Sequence, residues 1–174
     1  NGTIWRWVRP IVGFDGAGTP HLRIEHRVMP AGPSLPDMVA NLALCEGLML
    51  ALARTETPPE TLTPFEDAQA NLYACAEHGL KARVRWEGRE VDVQALLLDE
   101  LVPRARAALA AEGVDEADLH ASFNDVLIPR LRTGLTGAAW QHSFVDCNGM
   151  NLQALTERYV ELQATGAPVH TWTV

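Results

Sequence analysis

The clearest alternation of apolar and charged residues lies near the start of the chain. In residues 21–27, HLRIEHR, the charged residues Arg23, Glu25 and Arg27 occupy every second position, and mostly apolar residues stand between them. Because side chains alternate between the two faces of a β-strand, the pattern predicts a strand with one charged face and one apolar face. Residues 3–12 alternate in the same way, so we expect residues 3–12 and 20–29 to form an antiparallel pair.

The glycine-rich stretch GFDGAGTP separates these two segments. It matches neither the Walker spacing nor GxGxxG, and no helix is predicted directly after it. We therefore interpret it as the turn of a hairpin rather than as a phosphate-binding loop.

The sequence after the hairpin has the period of α-helices. The stretch SLPDMVANLALCEGLMLALAR predicts a helix capped by Ser34, and so many of its positions are apolar that we expect burial on most of its circumference. The stretch TPFEDAQANLYACAEHGL predicts a second helix, capped by Thr63 and ended by Gly79. Between ARVRW and REVDV, Glu87 and Gly88 indicate a short hairpin, unless the second segment leads straight into a helix.

Three further helices are predicted over residues 92–111, 116–133 and 149–164. Pro103 and Pro129 are expected to kink the first two of them. Together these elements predict an α+β fold, in which a small antiparallel sheet is covered by several helices.

Length and composition indicate one folded, soluble domain over residues 1–174, since 47% of the 174 residues are hydrophobic. The longest apolar run, residues 38–53, contains Asn41 and Glu46 and is shorter than the roughly 20 residues that cross a bilayer. The chain opens without a signal-peptide pattern, without Met and directly with strand-like alternation, so we expect a fragment of a longer protein. We expect no membrane partner and a cytoplasmic location.

The three cysteines agree with that location. Cys45, Cys75 and Cys147 are odd in number and widely spaced, which favours neither a disulfide framework nor a zinc motif. We expect them to be reduced, buried thiols.

The net charge of −8 argues against a nucleic-acid-binding protein, because such proteins usually present a basic surface. Residues 1–30 contain four arginines and two carboxylates and so carry +2, which leaves −10 on the rest of the chain. A small basic region on an acidic chain suits a small anion, such as a phosphate or a carboxylate, better than a long polyanion.

The row of Arg23, Glu25 and Arg27 combines residue types that act together in phosphate chemistry. A carboxylate is a hard oxygen ligand for Mg²⁺, and flanking arginines can hold the phosphate oxygens that the metal bridges. Such a set neutralises the charge that develops during phosphoryl transfer. The alternative is a solvated strand on which opposite charges alternate for structural reasons alone.

Several stretches carry a family resemblance: NGTIWRWVRPIVG, PHLRIEHRVMPAGPSLPDMVAN, NLYACAEHGL, LRTGLTGAAWQ and YVELQATGAPVHTW. They resemble the C-terminal half of glutamate–cysteine ligase family 2, the carboxylate–amine ligases of the glutamine synthetase-like superfamily. The arginine, glutamate and arginine row followed by PAGPS is the most specific part, whereas NLYACAEHGL is less basic than its counterpart in the family. The resemblance implies a glutamine synthetase-like catalytic-domain fragment, the C-terminal part of a longer ligase.

The resemblance also implies a role for each charged residue. Glu25 would bind a catalytic Mg²⁺, Arg27 would act as a catalytic residue at the γ-phosphate, and Arg23, like Arg27, would bind nucleotide phosphates. Arg6 and Arg9 would hold a substrate carboxylate or phosphate, although their opposite parity does not let both face one site on a regular strand. Further metal ligands and nucleotide contacts would come from strands upstream of this chain.

The implied reaction is ATP-dependent amide formation, which belongs to glutathione biosynthesis. Glutamate would attack ATP to form a γ-glutamyl phosphate, and the amine of cysteine would displace phosphate to give γ-glutamylcysteine. ATP, glutamate and an amine such as cysteine would be the partners, with Mg²⁺ as the cofactor, and the isolated fragment would be inactive. We expect self-association or pairing with the missing N-terminal half. The alternative is a non-catalytic assembly or regulatory module that keeps the same fold.

Other residues are weaker candidates for a site. Asn71 either touches substrate or is a hydrogen-bonded helix residue, and Trp140 matches the family, although a packed tryptophan is favoured. His142, Ser143 and Asp146 lie close together in sequence, but nothing around the serine indicates a nucleophile elbow.

Overall fold

The computed structural model describes residues 8–29 and 31–174. The α+β class is confirmed, since these residues form helices together with two antiparallel sheets of two strands each. The strands of the two hairpins do not join into the single sheet that the sequence suggested. The chain divides into two compact units, and the division falls between Gly32 and Pro33.

The first unit contains the hairpin that the alternating pattern predicted. Strand β1 (Val8–Phe14) pairs antiparallel with β2 (Pro20–His26). Asp15 organises the turn, because one of its carboxylate oxygens accepts the backbone N–H groups of Ala17 and Thr19, each at 2.8 Å. The prediction of a hairpin is therefore confirmed for the described residues, and its beginning, residues 3–7, lies outside them.

The second unit consists of helices around one short hairpin. In chain order its helices and strands are α1 (Leu35–Ala53), α2 (Pro59–Leu62), α3 (Phe65–His78), β3 (Arg83–Trp86), β4 (Arg89–Asp92), α4 (Val93–Leu96), α5 (Val102–Ala111), α6 (Glu116–Leu119), α7 (Ile128–Thr133), α8 (Gly137–Asn148) and α9 (Leu152–Ala164). Single turns of 3₁₀-helix at Gly79–Lys81 and Val169–Thr171 complete it.

Helix α1 begins as predicted but is less buried than predicted. The Ser34 hydroxyl caps it by accepting the backbone N–H of Asp37 at 3.4 Å. Its buried residues are Asp37 and two small residues, Ala40 and Gly47, whereas many of its large apolar side chains are exposed, among them Leu35, Met38, Val39 and Leu42. The expectation of burial on most of the circumference is therefore wrong: the small residues pack closely against α5 and Leu44 and Leu48 pack partly buried against the same core, but the exposed large side chains do not.

The same helix has the length and composition of a membrane span, the one such helix in the described part of the chain. Core helices and signal sequences share those two properties, so they do not identify its surroundings. In this structure one face of α1 belongs to the core of the second unit, where Ala40 packs with Val102 and Phe123.

The predicted helices over 92–111 and 116–133 are confirmed, and each contains a wider, π-helical stretch. Leu97–Leu101 connects α4 to α5, and His120–Leu127 connects α6 to α7. Each stretch ends just before a proline, Pro103 or Pro129. A proline ring collides with the carbonyl of the preceding turn and offers no N–H, and a wider turn relieves both problems.

The C-terminal region contains a helix that the pattern did not predict. The predicted helix over 149–164 is α9, which begins at Leu152, and α8 precedes it. The signals for α8 are local: the Thr136 hydroxyl accepts the backbone N–H of Ala139 at 3.2 Å, and Gly149 ends the helix. The predicted cap of α3 is wrong, since that helix follows Pro64 and no side chain caps it, whereas its end at Gly79 is confirmed.

The short hairpin of the second unit is confirmed and is held by Asn71. Glu87 and Gly88 both have positive φ angles, 49° and 76°, as a two-residue hairpin turn of the favoured hand requires. The Asn71 amide donates to the backbone carbonyl of Arg85 at 2.6 Å and accepts its backbone N–H at 2.7 Å. Asn71 thus satisfies the open edge of β3, as expected for a hydrogen-bonded helix residue.

Three apolar clusters form the interior of the second unit. One lies between α1, α5 and the π-helical stretch around Phe123, and a second lies under β3 and β4. The third is aromatic: Trp140 is fully buried, and its ring contacts Phe144, Tyr159 and Trp172. The expectation of a packed Trp140 is confirmed.

A buried carboxylate links three distant segments of this unit. The fully buried Asp37 accepts hydrogen bonds from the Ser34 hydroxyl at 2.7 Å, from Arg130 Nη1 at 2.8 Å and from the backbone N–H of Val169 at 2.9 Å. Arg130 also donates to the side chain of Asn41. The carboxylate therefore has three protein donors, and both Nη atoms of the guanidinium have protein acceptors.

We predict that Asp37→Asn destabilises the protein by about 3 kcal/mol or more, because it leaves the buried Arg130 charge without a counter-charge. Urea unfolding followed by far-UV circular dichroism measures the loss. The control is Glu90→Gln, which breaks the exposed pair with Arg83 and is expected to cost less than about 1 kcal/mol. Equal losses in the two variants would contradict this account of the Asp37 network.

We also predict that Gly47→Ala destabilises the protein by about 1–3 kcal/mol, although alanine is ordinarily the better helix former. A Cβ at Gly47 would lie 2.8 Å from the Cα and the carbonyl carbon of Ala105 on α5, so the two helices would have to separate. Gly16→Ala is the matched control, because nothing lies within 4 Å of a Cβ at that turn position. Thermal unfolding compares the two variants, and an unchanged Tm for Gly47→Ala would refute the close packing of α1 on α5.

Candidate anion-binding site

The charged row of the sequence lies on one face of the first hairpin. The register places Arg9 opposite Glu25, Ile11 opposite Arg23 and Gly13 opposite His21, so all six positions share a face. Arg27 follows the end of β2 and contacts Glu25. The prediction that the three charges of β2 point the same way therefore holds for Arg23 and Glu25, and Arg27 reaches the same place from just beyond the strand.

Glu25 is held between two guanidiniums. Arg27 donates from Nε to Oε2 at 2.7 Å and from Nη2 to Oε1 at 3.0 Å, which is a two-point fork. Arg9 donates from Nε to Oε2 across the hairpin. The hydrogen bonds from Arg27, followed by those from Arg9, hold the pKa of the Glu25 carboxyl below its ordinary value, so this group is a carboxylate at neutral pH.

Arg23 has a different environment from its two neighbours. Within the described residues no carboxylate forms an ion pair with it, and its side chain lies on the exposed part of the strand. The Arg9, Glu25 and Arg27 group carries a surplus of one positive charge, and Arg23 adds another. The face is therefore positive overall and contains a guanidinium that is open to an anion.

The arrangement around Glu25 bears on its predicted role as a metal ligand. The carboxylate is of the type that Mg²⁺ prefers, and Mg²⁺ commonly takes one or two protein carboxylates and completes its shell with phosphate oxygens and water. In the described residues no group of three or more His, Cys, Asp or Glu side chains is placed to hold a metal ion. Glu25 offers one carboxylate of this type, but both of its oxygens accept arginine N–H groups here, so its role as a metal ligand stays a prediction.

The structure describes one of the two residues predicted to bind substrate. Arg9 lies on the charged face, but its Nε atom is engaged with Glu25. Arg6 lies outside the described residues, so the question of which of the two faces the site stays open.

Other chemically interesting residues lie in ordinary surroundings. Ser143 Oγ donates to the carbonyl of Ala139 within α8, at 3.0 Å, and is not presented as a nucleophile. Burial raises the pKa of the half-buried thiols of Cys45 and Cys75, which keeps them protonated. Cys147 is exposed, contrary to the expectation of three buried thiols.

Comparison with known proteins adds no relative: no family model, no curated protein and no solved structure matches this chain. The ligase resemblance therefore depends on the quoted sequence stretches, and the candidate site depends on the geometry of the hairpin.

We predict that the pKa of Glu25 rises toward the ordinary value of 4.5 in Arg27→Gln, and by a smaller amount in Arg9→Gln, because the larger share of the lowering comes from Arg27. Since the pKa is lowered in the folded state, the ion pairs are complete above pH 4.5 and are lost as the pH falls through the lowered value. Carbon-detected NMR titration of the carboxyl group measures the change. Arg23→Gln is the control and is expected to leave the midpoint of the Glu25 titration unchanged. Identical titration curves for all three variants would show that Arg27 and Arg9 do not hold Glu25.

Proposed function

We propose that this chain is part of an ATP-dependent carboxylate–amine ligase of the glutamate–cysteine ligase type. The observation that carries the proposal is the charged face of the first hairpin, where Arg9 and Arg27 hold Glu25 and Arg23 is left without a carboxylate among the described residues. Forked guanidiniums beside a carboxylate suit a phosphate that passes between two substrates. The resemblance of HLRIEHR and PAGPS to the family supports the same reading.

In the proposed reaction the γ-carboxylate of glutamate attacks the γ-phosphorus of ATP, and ADP leaves. The amine of cysteine then attacks the acyl carbon of γ-glutamyl phosphate, the C–O bond to phosphate breaks, and γ-glutamylcysteine and phosphate are released. In both steps negative charge develops on phosphate oxygens. Positioning and charge neutralisation therefore supply most of the rate in such transfers.

The chain's own residues would serve this reaction by exchanging partners. Arg27 would turn its fork from Glu25 to the transferred phosphate, and Arg23 would hold the nucleotide phosphates. Arg9, together with Arg6, would hold a substrate carboxylate. Mg²⁺, with Glu25 as its ligand in this chain, would neutralise charge on the phosphates. Further ligands of the Mg²⁺ would come from other parts of a longer ligase. We propose that this ligase acts in the cytoplasm.

A second candidate function is a non-catalytic assembly module, and the apolar face of the same hairpin favours it. Val12, Leu22 and Ile24 lie on the side opposite the charged row, with 61%, 76% and 58% of their surfaces exposed. An exposed apolar face of this kind is typical of an interface. It also supports the proposal of self-association, which the ligase shares.

The ligase proposal is tested with the longer protein of which this chain would be a part, here called the parent chain. ADP release by the parent chain is measured with Mg-ATP and glutamate, in the presence and absence of cysteine. We expect turnover that depends on cysteine, and a loss of about 100-fold or more in Arg27→Gln and in Glu25→Gln, as for other groups that stabilise transition-state charge. Arg83→Gln removes a guanidinium from an exposed ion pair on the other hairpin and should keep full activity.

The ligase proposal would be overturned if a well-folded parent chain releases no ADP in the presence of glutamate, whichever amine is added. If that chain also forms a defined oligomer by light scattering, and Leu22→Asp and Ile24→Asp dissociate it, the assembly module becomes the better function.

A further inference from the structure

The exposed side of α1 borders an open groove in the second unit. Leu35, Met38, Val39 and Leu42 follow one another at spacings of three or four residues, so they form a single apolar stripe along the helix, and all four are exposed. Val39 and Leu42 line a groove of about 330 Å³. This volume is in the range of sites that bind ligands.

The floor of the groove belongs to the apolar core. It is formed by three buried side chains, Leu109, Leu119 and Phe123. Small residues on the walls, Ala43, Ala121 and Ser122, leave the space above that floor unfilled. An apolar group that enters the groove therefore loses its contact with water against core side chains, which favours binding.

The rim of the groove is acidic. Glu46 on α1 and Asp118 on α6 both line it, and neither forms an ion pair with another described residue. Residues 112–118, which lead into this wall, contain four carboxylates and no basic residue. Arginines neutralise two of the four, since Arg54 pairs with Glu112 and Arg106 pairs with Glu116.

We propose that this groove, here called the α1 groove, binds an amphipathic helix of a protein partner that carries lysine or arginine beside its apolar face. The apolar side chains would fill the space over Phe123, and the basic side chains would pair with Glu46 and Asp118. Residues 31–174 carry a net charge of −10, which also attracts a basic partner over a longer range. The inference concerns the second unit and does not depend on the ligase proposal.

The lining of the groove favours a helix over an extended peptide. Its lining residues, as the structure describes them, come from α1, α5, α6, the π-helical stretch and Val114. They offer no strand edge to pair with the N–H and C=O groups of an extended chain, whereas a helix satisfies its own backbone. From Leu35 to Glu46 the wall is about 16 Å long, which matches about three turns of a partner helix.

The charge of the rim argues against a membrane as the occupant. Helix α1 has the length and composition of a membrane span, but Glu46 and Asp118 lie beside its exposed apolar stripe. Anionic lipid head groups would be repelled by these carboxylates, and a basic helix would be attracted.

The experiment is a fluorescence anisotropy titration of a labelled peptide with the 174-residue chain. The probe is a helical peptide of about 16 residues, made of alanine with leucines along one face and lysines beside them. The matched control peptide has glutamate in place of every lysine. We expect saturable binding of the lysine peptide that weakens as salt is added, and no binding of the glutamate peptide.

Variants of the chain separate the apolar contribution from the charged one. Leu42→Asp should weaken binding about tenfold or more, because it places a carboxylate where an apolar anchor docks. Leu152→Asp is its control, since Leu152 is also exposed but does not line the groove. Glu46→Gln and Asp118→Asn should each weaken binding by about threefold, as for exposed ion pairs, and Glu60→Gln on α2 should have no effect.

The proposal is overturned if the lysine peptide does not bind in a saturable way, if both peptides bind equally, or if folded Leu42→Asp binds like the wild type. Light scattering and vesicle sedimentation test the other occupants. An oligomer that Leu42→Asp dissociates and Leu152→Asp does not would assign the groove to a second copy of the chain. Binding to anionic vesicles that only Leu42→Asp abolishes would assign it to a membrane, and either result would overturn the basic helical partner.

Discussion

The buried carboxylate of Asp37 is the constraint around which the second unit is arranged. A carboxylate cannot leave water unless other donors replace the lost hydrogen bonds, and here one donor is local and the others come from residues 93 and 132 positions further along the chain. An arrangement that fails to bring Arg130 and Val169 to Asp37 leaves a charge buried and unpaired. We infer that the network acts mainly by making alternative packings costly, since a buried ion pair adds little net stability over an apolar replacement.

Around this network α1 and α5 approach as closely as their side chains allow. Gly47 faces the backbone of Ala105, and Ala40 and Ala105 are both fully buried. The small side chains permit dispersion contacts between backbones that larger residues would prevent. The consequence is that the bulkier apolar residues of α1, such as Leu42, point away from this contact and remain exposed. Burial in α1 follows the shape of the neighbour, not the hydrophobicity of each residue.

This explains which features could be predicted from sequence. Features set by neighbouring residues were predictable: the Ser34 cap, the hairpin turn between β3 and β4, and the helices that carry Pro103 and Pro129. Features set by residues far apart in sequence were not predictable. Neither the pairing of Asp37 with Arg130 nor the exposed face of α1 can be recognised from the pattern of neighbouring residues.

The candidate site shows the same division. Alternation placed Arg23 and Glu25 on one face, but it could not show that Arg9 lies directly opposite Glu25. The cross-strand register depends on the turn, and a stretch with several glycines permits more than one. The burial of Gly13 could not be predicted for a related reason, since it depends on His21 in the partner strand.

Asp37 and Glu25 both bind arginine, but they differ in how easily their partners can change. Asp37 is fully buried, and its partners are fixed by the fold, whereas Glu25 lies near solvent, where an ion pair is weak and its guanidiniums can change partners at small cost. A two-stranded hairpin is only marginally stable by itself, yet a binding site needs rigid support. Added strands or a second copy on the apolar face of Leu22 and Ile24 would supply that support and leave the opposite face open to an anion. The alternation in HLRIEHR therefore gives one strand an apolar side and a charged side, which in the proposed function would serve assembly and ligand binding.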